Sequence, residues 1–286
     1  MKVFVAGASG VIGRALMPLL VAEGYETVGM AKDEAAAQTI RSMGARAVIV
    51  DVFARDALIE VVRAERPDAV IHQLTSLASS DSTANNRIRT QGTRNLVDAT
   101  VAARARRMVA QSYALYAPGP GLAHESNAFD VGSPTLGSSA EALLVLEETV
   151  NEVPESVLLR NGTMYGPGTS FARGGATAEQ ARNGELVQTY DIVSFIHVDD
   201  VAKAAMLALN WPTGPVNIVD DEPAPGTEWL PVYASCVGAP APPKDPSRAL
   251  ELFVGLGAVS NERARKECDW APTVLSWREG FREALG

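Results

Sequence analysis

The sequence predicts an α/β protein with a doubly wound parallel sheet and a smaller C-terminal lobe. Short apolar stretches rich in β-branched residues alternate with helical stretches over residues 1–160. Strands that are apolar on both faces lie in parallel sheets that helices cover on both sides. Right-handed crossovers between such strands give the doubly wound arrangement. A glycine-rich turn after the first strand points to the same class of fold.

Strands and helices alternate regularly in the predicted order of the first 160 residues. The strands are predicted at 3–6, 26–30, 47–50, 69–72, 108–111 and 156–159. The helices between them are predicted at 11–23, 33–43, 55–65, 83–104 and 138–151. Beyond residue 160 proline and glycine become frequent, and short helices are predicted at 173–183, 199–210, 226–237 and 276–284. We therefore expect a sheet domain of residues 1–160 and a lobe of residues 161–286 interleaved with the last strands.

The composition of the 286 residues is that of a soluble globular protein, with 47% hydrophobic and 21% charged residues. The net charge of -9 argues against a nucleic acid or an anionic membrane as partner, because either would need a basic surface. Cys236 and Cys268 lack metal-ligand spacing, which indicates free thiols in a reducing compartment and no metal site. No apolar run reaches the ~18 residues of a membrane span, and the chain starts directly on a strand. We expect a cytoplasmic protein.

A turn containing Gly7, Gly10 and Gly13 connects the first predicted strand to the first predicted helix. The first glycine permits a tight turn, the second lets a pyrophosphate approach the backbone, and the third lets the helix pack on the sheet. The amides of the first helical turn and the helix dipole favour phosphate at this point. The turn therefore predicts a dinucleotide site. Its expected contacts are Gly7, Ser9, Gly10, Val11, Ile12 and Gly13.

The Gly-x-x-Gly-x-x-Gly spacing of this turn resembles that of the short-chain dehydrogenase/reductase superfamily. Over nearly its whole length the chain is similar to the extended branch of that superfamily, the NAD-dependent epimerase/dehydratase family. The similar segments are Asp51-Val52, Val70-Ile71-His72, Gln91-Gly92-Thr93-Arg94-Asn95-Leu96, Leu159-Arg160, Tyr165-Gly166-Pro167-Gly168 and Phe195-Ile196-His197-Val198-Asp199-Asp200-Val201-Ala202. The resemblance implies a Rossmann domain that binds a dinucleotide, a C-terminal lobe that binds a small-molecule substrate, and a homodimer formed through helices 83–104 and 138–151.

The resemblance also implies which side chains lie along the cofactor. Asp51 and Val52 match the pair beside the adenine, while Leu74 and Thr75 lie on the loop that runs along the cofactor. Arg89 replaces the asparagine that precedes Gly-Thr in the family. We expect Arg89 near the nicotinamide ribose or a substrate anion, or else on a solvated helix face.

The end of the second strand bears on which dinucleotide binds. An acidic residue there would hold the ribose 2′-hydroxyl of NAD and would repel a 2′-phosphate. This strand ends with Met30-Ala31-Lys32, and no acid occurs before Asp33. Lys32 can meet a 2′-phosphate as a point charge, or it can simply face water. We therefore favour NADP(H) over NAD(H).

The catalytic tyrosine and lysine of the family are absent from this sequence. In the family they are spaced Tyr-x-x-x-Lys on the helix after the fifth strand, where the lysine lowers the tyrosine pKa and the tyrosine moves a proton. Leu136 and Ala140 stand at these positions, and residues 131–150 contain neither tyrosine nor lysine. Removing a positioned general acid typically costs ~10²–10⁴ in rate. The protein therefore uses another donor or does not carry out this step.

Several other residues are candidates for the chemistry that the pair performs. Ser112, at the end of the fifth strand, matches the serine that hydrogen-bonds the substrate oxygen in the family. The candidate proton donors are Tyr113, His124 in the following loop, Tyr165 in the Tyr-Gly-Pro-Gly turn, and water. Core packing also explains Tyr165, and simple exposure also explains His124. Thr163 matches a position that often faces substrate.

These features predict an atypical NADP-dependent oxidoreductase that acts on a carbonyl or alcohol of a small metabolite. Two other functions fit the same sequence. A non-redox lyase, isomerase or cyclase would use the same pocket without net hydride transfer. A catalytically inactive, cofactor-sensing regulator would explain Leu136 and Ala140 directly.

Overall fold

The main feature of the fold is a seven-stranded sheet. The computed structural model describes residues 1–75, 82–244 and 257–285. Its strands are β1 (Lys2–Ala6), β2 (Glu26–Ala31), β3 (Arg46–Ile49), β4 (Ala69–His72), β5 (Arg107–Tyr113), β6 (Glu155–Asn161), β7 (Thr163–Tyr165), β8 (Ile192–Val193), β9 (Phe195–His197), β10 (Gly214–Ile218) and β11 (Ala224–Pro225). The strand order in the large sheet is β10-β6-β5-β4-β1-β2-β3.

The centre of the large sheet is parallel. β1 pairs in parallel with β2 on one side and with β4 on the other. Parallel pairs also join β2 to β3 and β4 to β5. The strand order reverses at β1, because the chain builds β2 and β3 on one side and then crosses to β4 on the other. The predicted doubly wound parallel sheet is confirmed, and its reversal point is where open α/β sheets bind ligands.

The helices follow the predicted positions along the first half of the chain. They are α1 (Val11–Ala22), α2 (Glu34–Ser42), α3 (Arg55–Glu65), α4 (Ser82–Arg87), α5 (Thr93–Ala102), α6 (Gly137–Val150), α7 (Ala176–Arg182), α8 (Val198–Leu207), α9 (Gly226–Cys236), α10 (Glu262–Glu267) and α11 (Trp277–Leu285). The helix predicted at 83–104 contains a π-helical turn, Ile88–Gly92, between α4 and α5. Single π turns within α-helices occur frequently at functional sites.

The chain folds into two compact units. Unit 1 comprises Met1–Ser112, Ser138–Leu159 and Ala202–Pro215. Unit 2 comprises Tyr113–Gly137, Arg160–Val201 and Val216–Gly286. None of the helices described in either unit combines the length and the apolar character required to cross a bilayer. In the same described residues, no three His, Cys, Asp or Glu side chains converge as metal ligands.

Each unit has its own hydrophobic core. In unit 1 the core lies on the large sheet and includes Phe4, Val70 and Met108, all without exposed surface. In unit 2 the core contains a cluster of aromatic rings in which Phe195 makes edge contacts with Trp229 and Phe281. Aromatic pairs in such edge-to-face geometry add stability beyond the apolar area that they bury.

Gly280, on α11, is required by the aromatic core of unit 2. A Cβ atom at this position would lie 2.0 Å from the Tyr165 hydroxyl oxygen, and the Tyr165 ring is fixed by Phe195 and Phe281. We expect Gly280→Ala to destabilise the protein by about 1–3 kcal/mol, the usual cost of overpacking. Thermal denaturation measures this as a lower Tm. Gly174→Ala is the matched control, because a Cβ there meets no atom within 4 Å; an equal Tm for both variants would contradict the prediction.

Candidate functional site

The glycine turn of unit 1 has the geometry of a phosphate cradle. Gly7 has a φ of +91°, which favours glycine, and a Cβ atom there would lie 2.4 Å from the Gln73 carbonyl oxygen. A Cβ at Gly13 would lie 2.2 Å from the Gly7 carbonyl oxygen. Both positions therefore exclude any side chain, and they hold β1, β4 and α1 close together. The predicted structural roles of the first and third glycines agree with these contacts.

Gly10 differs from the other two glycines, because the space in front of it is open. A Cβ at Gly10 would meet only the Gly7 carbonyl oxygen, at 3.2 Å. Gly10 is the N-cap of α1, and no side chain of the described residues caps this helix. The backbone N–H groups of the first turn of α1 are therefore available to a ligand. They include those of Val11 and Ile12, and Ser9 lies just before this turn. Phosphate groups are the ligands that such a helix start favours.

Gln73 is a second feature of this cradle. It directly follows β4, donates its backbone N–H to the Ala6 carbonyl at 2.7 Å, and is 4% exposed. Neither its side-chain nitrogen nor its side-chain oxygen has a hydrogen-bond partner within the part of the chain that the structure describes. Unsatisfied buried amides are rare and costly, so a bound molecule is the natural partner. Gln73 is absent from the residues predicted by sequence; its signal is a polar residue directly after a buried strand.

The loop after β4 is held by His72, which is fully buried. The Leu74 N–H donates to His72 Nδ1 at 3.2 Å, so the ring proton lies on Nε2, 2.9 Å from the Thr93 hydroxyl oxygen. Thr93 in turn donates to the Ile88 carbonyl in the π turn, at 3.3 Å. Burial lowers the pKa of His72 from 6.5 to about 4. The neutral ring therefore connects Leu74 to the π turn, and Thr75 continues the loop as an exposed residue.

The second strand ends at Ala31, one residue beyond the predicted bound. Lys32 directly follows β2 and is exposed. The Asp33 carboxylate accepts a hydrogen bond from the Ala36 N–H at 2.8 Å and thereby caps α2. The Asp33 carboxylate, the acidic group nearest the end of β2, is therefore hydrogen-bonded to the first turn of α2. Lys32 is the other charged side chain at this strand end.

The remaining predicted cofactor residues of unit 1 have structural contacts of their own. The Asp51 carboxylate accepts from the Phe53 N–H at 2.9 Å and closes a turn on the surface. Val52 is 6% exposed and belongs to the core. Arg89 lies in the π turn, is half-buried, and donates to the Asn86 side-chain oxygen at 3.2 Å. The cofactor roles of these three residues stay predictions.

Ser112 is hydrogen-bonded to a carboxylate. Its hydroxyl donates to Oε1 of Glu147 on α6 at 2.6 Å, and each residue is 6% exposed. The resemblance predicts that the Ser112 hydroxyl bonds a substrate oxygen, and it does not indicate this partner. Glu147 lies one residue beyond Leu146 on the buried face of α6, and a glutamate on an apolar helix face is the sequence signal for such a pair.

In unit 2, two predicted residues are in contact with each other. The hydroxyl oxygens of Tyr113 and Thr163 are 2.9 Å apart, so they share a hydrogen bond. Thr163 begins β7 and is 8% exposed, while Tyr113 is half-buried at the end of β5. The pair brings a phenol and a hydroxyl together, and either oxygen could be the donor.

Tyr165 and His124 are placed less favourably for proton transfer. Tyr165 has no exposed surface and packs against Phe195, His197 and Phe281. Burial, and secondly Asp220, raise its pKa above the usual value for tyrosine. The Tyr165 phenol is enclosed by the core, which agrees with the packing alternative for this residue, and its role as a proton donor stays a prediction. His124 is exposed in a loop, with Nδ1 4.0 Å from a Glu262 carboxylate oxygen.

The two positions that the resemblance assigns to the family's tyrosine and lysine carry apolar side chains. Leu136 directly precedes α6, and Ala140 lies in the first turn of that helix with no exposed surface. Neither side chain carries a group that titrates or donates a proton. The cradle for a dinucleotide is therefore present without the tyrosine and lysine that accompany it in the family.

Comparison with known sequences relates the whole chain to one family. A sequence model described as the NAD dependent epimerase/dehydratase family matches residues 3–219. A Streptomyces protein named 3-diazoavenalumate denitrifying reductase is 38% identical over 305 aligned positions, which span 98% of this chain and 99% of that protein.

Comparison with solved structures gives the same fold. The UDP-glucose 4-epimerase of Thermus thermophilus, solved with NAD, superposes with a TM-score of 0.78 at 23% identity, over 100% of this chain and 98% of that one. The UDP-glucuronic acid 4-epimerase of Bacillus cereus, solved with UDP-glucuronic acid and NAD, gives 0.78 at 20% identity over the same shares. At these identities the likeness concerns the fold alone.

Proposed function

Because the chain belongs to the NAD dependent epimerase/dehydratase family, we propose that it is a nicotinamide-dependent reductase of a small aromatic diazo compound. One combination of features supports this function most directly. The cofactor cradle around Gly7 and Gly13 is intact, whereas Leu136 and Ala140 replace the proton-transferring pair. The Streptomyces relative is named 3-diazoavenalumate denitrifying reductase, and that name describes a reduction of a diazo compound.

Unit 1 offers the residues that would hold the dinucleotide. Gly10 leaves room for a pyrophosphate against the first turn of α1, and Gln73 presents a buried amide whose polar atoms lack partners among the described residues. Both features fit a bound dinucleotide better than an empty cradle, because a missing ligand would leave the amide desolvated at a cost of about 1–3 kcal/mol.

The chemistry of a diazonium acceptor explains why the family's tyrosine and lysine are not needed. When bound, the reduced nicotinamide supplies a hydride, and a carbon that bears a diazonium group can accept it and release N₂ without taking up a proton. A carbonyl oxygen, by contrast, must receive a proton as its carbon is reduced, which is the step that tyrosine and lysine serve. The protein's contribution to a diazonium acceptor is therefore to bind and orient it and to exclude water.

The proposed activity is tested by turnover with matched acceptors. The protein is mixed with NADPH and either an arenediazonium salt labelled with ¹⁵N or a panel of ketones and aldehydes. We expect NADPH oxidation and labelled N₂ with the diazonium salt, above the rate without protein, and little oxidation with the carbonyl compounds. Oxidation with carbonyl compounds alone would show a conventional reductase. Product formation without NADPH oxidation would favour the non-redox lyase, isomerase or cyclase.

Lys32 supports NADP(H) as the cofactor. It is exposed at the end of β2, and Asp33 is turned away to cap α2. We expect Lys32→Ala to raise the Kd of NADPH about tenfold and to leave that of NADH unchanged, because only NADPH carries the 2′-phosphate. Fluorescence titration of both cofactors measures the two constants. Lys203→Ala, which removes another exposed lysine of unit 1, is the control; equal losses for both cofactors would contradict NADP(H) selectivity.

The hydrogen bond between Ser112 and Glu147 gives a test of whether Ser112 acts on the substrate. The hydroxyl proton is engaged by the carboxylate at 2.6 Å, so the serine is not free to donate to a substrate oxygen. We expect Ser112→Ala to lower the stability by about 1–3 kcal/mol, because Glu147 loses a buried donor. The kcat for the diazonium acceptor should fall less than about tenfold, whereas loss of an essential donor costs about 10²–10³. A loss of the larger size would contradict this interpretation.

A further inference from the structure

Unit 2 contains a cavity that none of the predicted site residues lines. It lies between the loop 116–123, the segment 127–134, the strand region around Tyr190 and Ile192, and Gly257 with Ala258. Its volume is about 790 Å³. Cavities of about 300–1,000 Å³ are the usual size for small-molecule sites. This cavity is therefore large enough for a substituted aromatic ring.

The walls of this cavity are unusually apolar for an exposed surface. Leu122, Tyr190 and Ile192 are 48%, 75% and 40% exposed, and all three line the cavity. Pro118 and Pro120 stiffen the loop on the facing side, because proline fixes its own backbone φ angle. Exposed apolar side chains that are grouped around one concavity mark a ligand site more often than single exposed residues do.

The charge of the cavity is negative. Asp130 and Asp191 both line it, and its described lining residues include no lysine, arginine or histidine. Within the described ranges neither carboxylate forms an ion pair, although other acids of unit 2, such as Asp221, are paired with arginine. Arg160 lies behind the lining residue Tyr116 and donates to its hydroxyl at 3.0 Å.

The backbone holds both acidic residues in fixed positions. The Asp130 N–H donates to the Leu115 carbonyl at 3.0 Å, next to the bridge that joins Tyr116 to Phe129. The Asp191 carbonyl accepts from the Gly226 N–H at 3.1 Å. Two carboxylates carried by these backbone segments, beside an apolar, partly aromatic surface, are complementary to one type of ligand, a planar ring with a positive charge.

On the basis of the proposed reductase function, we infer that this cavity binds the aromatic substrate, with its cationic substituent near Asp130 and Asp191. Tyr190, Leu122 and Ile192 contact the ring, and the two carboxylates offset the positive charge. The same carboxylates disfavour an aromatic ligand whose only charge is negative. Unit 2 would thus select an arenediazonium ion over the neutral arene that remains after N₂ has left, which favours release of the product.

Binding of an unreactive aromatic cation tests this site without turnover. Phenyltrimethylammonium and its uncharged analogue tert-butylbenzene are titrated into the protein in the absence of NADPH, with calorimetry or ligand NMR as the readout. We expect the cation to bind more tightly, and Asp130→Asn and Asp191→Asn each to weaken its binding at least threefold. Neither substitution should change the affinity for the uncharged analogue, because that ligand carries no charge for the carboxylates to offset.

Controls separate this inference from the proposed function. Asp269→Asn removes an exposed carboxylate elsewhere in unit 2 and should leave cation binding unchanged. Tyr190→Ala should weaken binding of both probes, because it removes ring contact without changing charge. Equal affinity for cation and analogue, or unchanged cation binding in both aspartate variants, overturns the cavity assignment. If the aspartate variants still turn over the diazonium salt with unchanged KM, the reductase function stands and the cavity assignment fails. If the parent protein binds the cation but turns over no diazonium salt, the cavity binds aromatic cations and the reductase function fails.

Discussion

Gly10→Ala is expected to raise the Kd of NADPH by at least about tenfold, or about 1.4 kcal/mol, while the protein remains folded. Gly10 has φ of -73° and ψ of -176°, which any residue adopts, and an added Cβ would meet only one protein atom. The space that the methyl group would fill is the space that a pyrophosphate needs at the start of α1. The loss should therefore appear in cofactor binding and hardly at all in Tm.

A second variant separates the ligand role of this turn from its structural role. Gly13→Ala would place a Cβ atom 2.2 Å from the Gly7 carbonyl oxygen and 2.5 Å from the Ala8 backbone. Because no flexible side chain is available to move, we expect this variant to lose stability, and with it cofactor binding. Fluorescence titration of NADPH and thermal denaturation of all three proteins give the comparison. A Gly10→Ala variant that binds NADPH as tightly as the parent would contradict the cradle.

Six of the seven strands of the large sheet can be predicted from sequence because each contains a short apolar run, whereas β10, with the sequence GPVNI, does not and is absent from the predicted order. The strand predicted at 69–72 has its observed bounds, and the run at 108–111 lies inside the observed β5, Arg107–Tyr113. β7 and β9, which pair with each other in parallel, are absent from the predicted order. Each has three residues, too few to show a periodicity of two. Their pairing depends on residues more than thirty positions apart in the chain.

The site is predictable where backbone geometry dictates the residue, and less so where side chains from distant elements meet. The glycine turn can be recognised because Gly7 and Gly13 exclude every other residue. The bond from Ser112 to Glu147 joins residues 35 positions apart, so the local sequence shows a glutamate on an apolar helix face but not its partner. Tyr165 is a candidate proton donor by sequence because it is a tyrosine in a turn that resembles the family, yet the ring is a core residue here.

The proposed reduction of a diazonium compound accounts for two features together, the intact dinucleotide cradle and the absence of the family's tyrosine and lysine. A protein that bound no dinucleotide would leave Gln73 as a desolvated amide next to Gly7, and an apolar residue there would avoid that cost, so Gln73 favours a bound ligand. A protein that reduced carbonyl groups would need a proton donor where Leu136 and Ala140 stand. Reduction of an acceptor that loses N₂ needs the first feature and not the second.

Acidification is expected to destabilise the protein through His72. The pKa of this fully buried ring is about 4, against 6.5 for an ordinary histidine. Between these values the unfolded chain binds a proton at His72 that the folded protein does not, so the contribution of His72 to the free energy of unfolding falls as the pH decreases from about 7 to about 4, opposite in sign to that of Asp220, whose pKa burial raises to about 8. The full effect is about 3 kcal/mol, a large part of the ~5–15 kcal/mol that stabilises a typical domain. Above about pH 7 the residue contributes no pH dependence.

Burial of the ring lowers its pKa, and the neutral ring holds the loop after β4. A proton added at Nδ1 would face the N–H of Leu74, which now donates to that nitrogen at 3.2 Å, and the loop after β4 would lose its anchor. Urea denaturation at several pH values measures the slope for the parent and for His72→Gln, which cannot titrate. We expect the variant to be less stable than the parent at neutral pH and this difference in the free energy of unfolding to shrink as the pH falls from about 7 to about 4. His124→Gln removes an exposed histidine instead and serves as the matched control. A His72→Gln variant with the same pH slope as the parent would show that the buried ring does not contribute to the pH dependence of the stability.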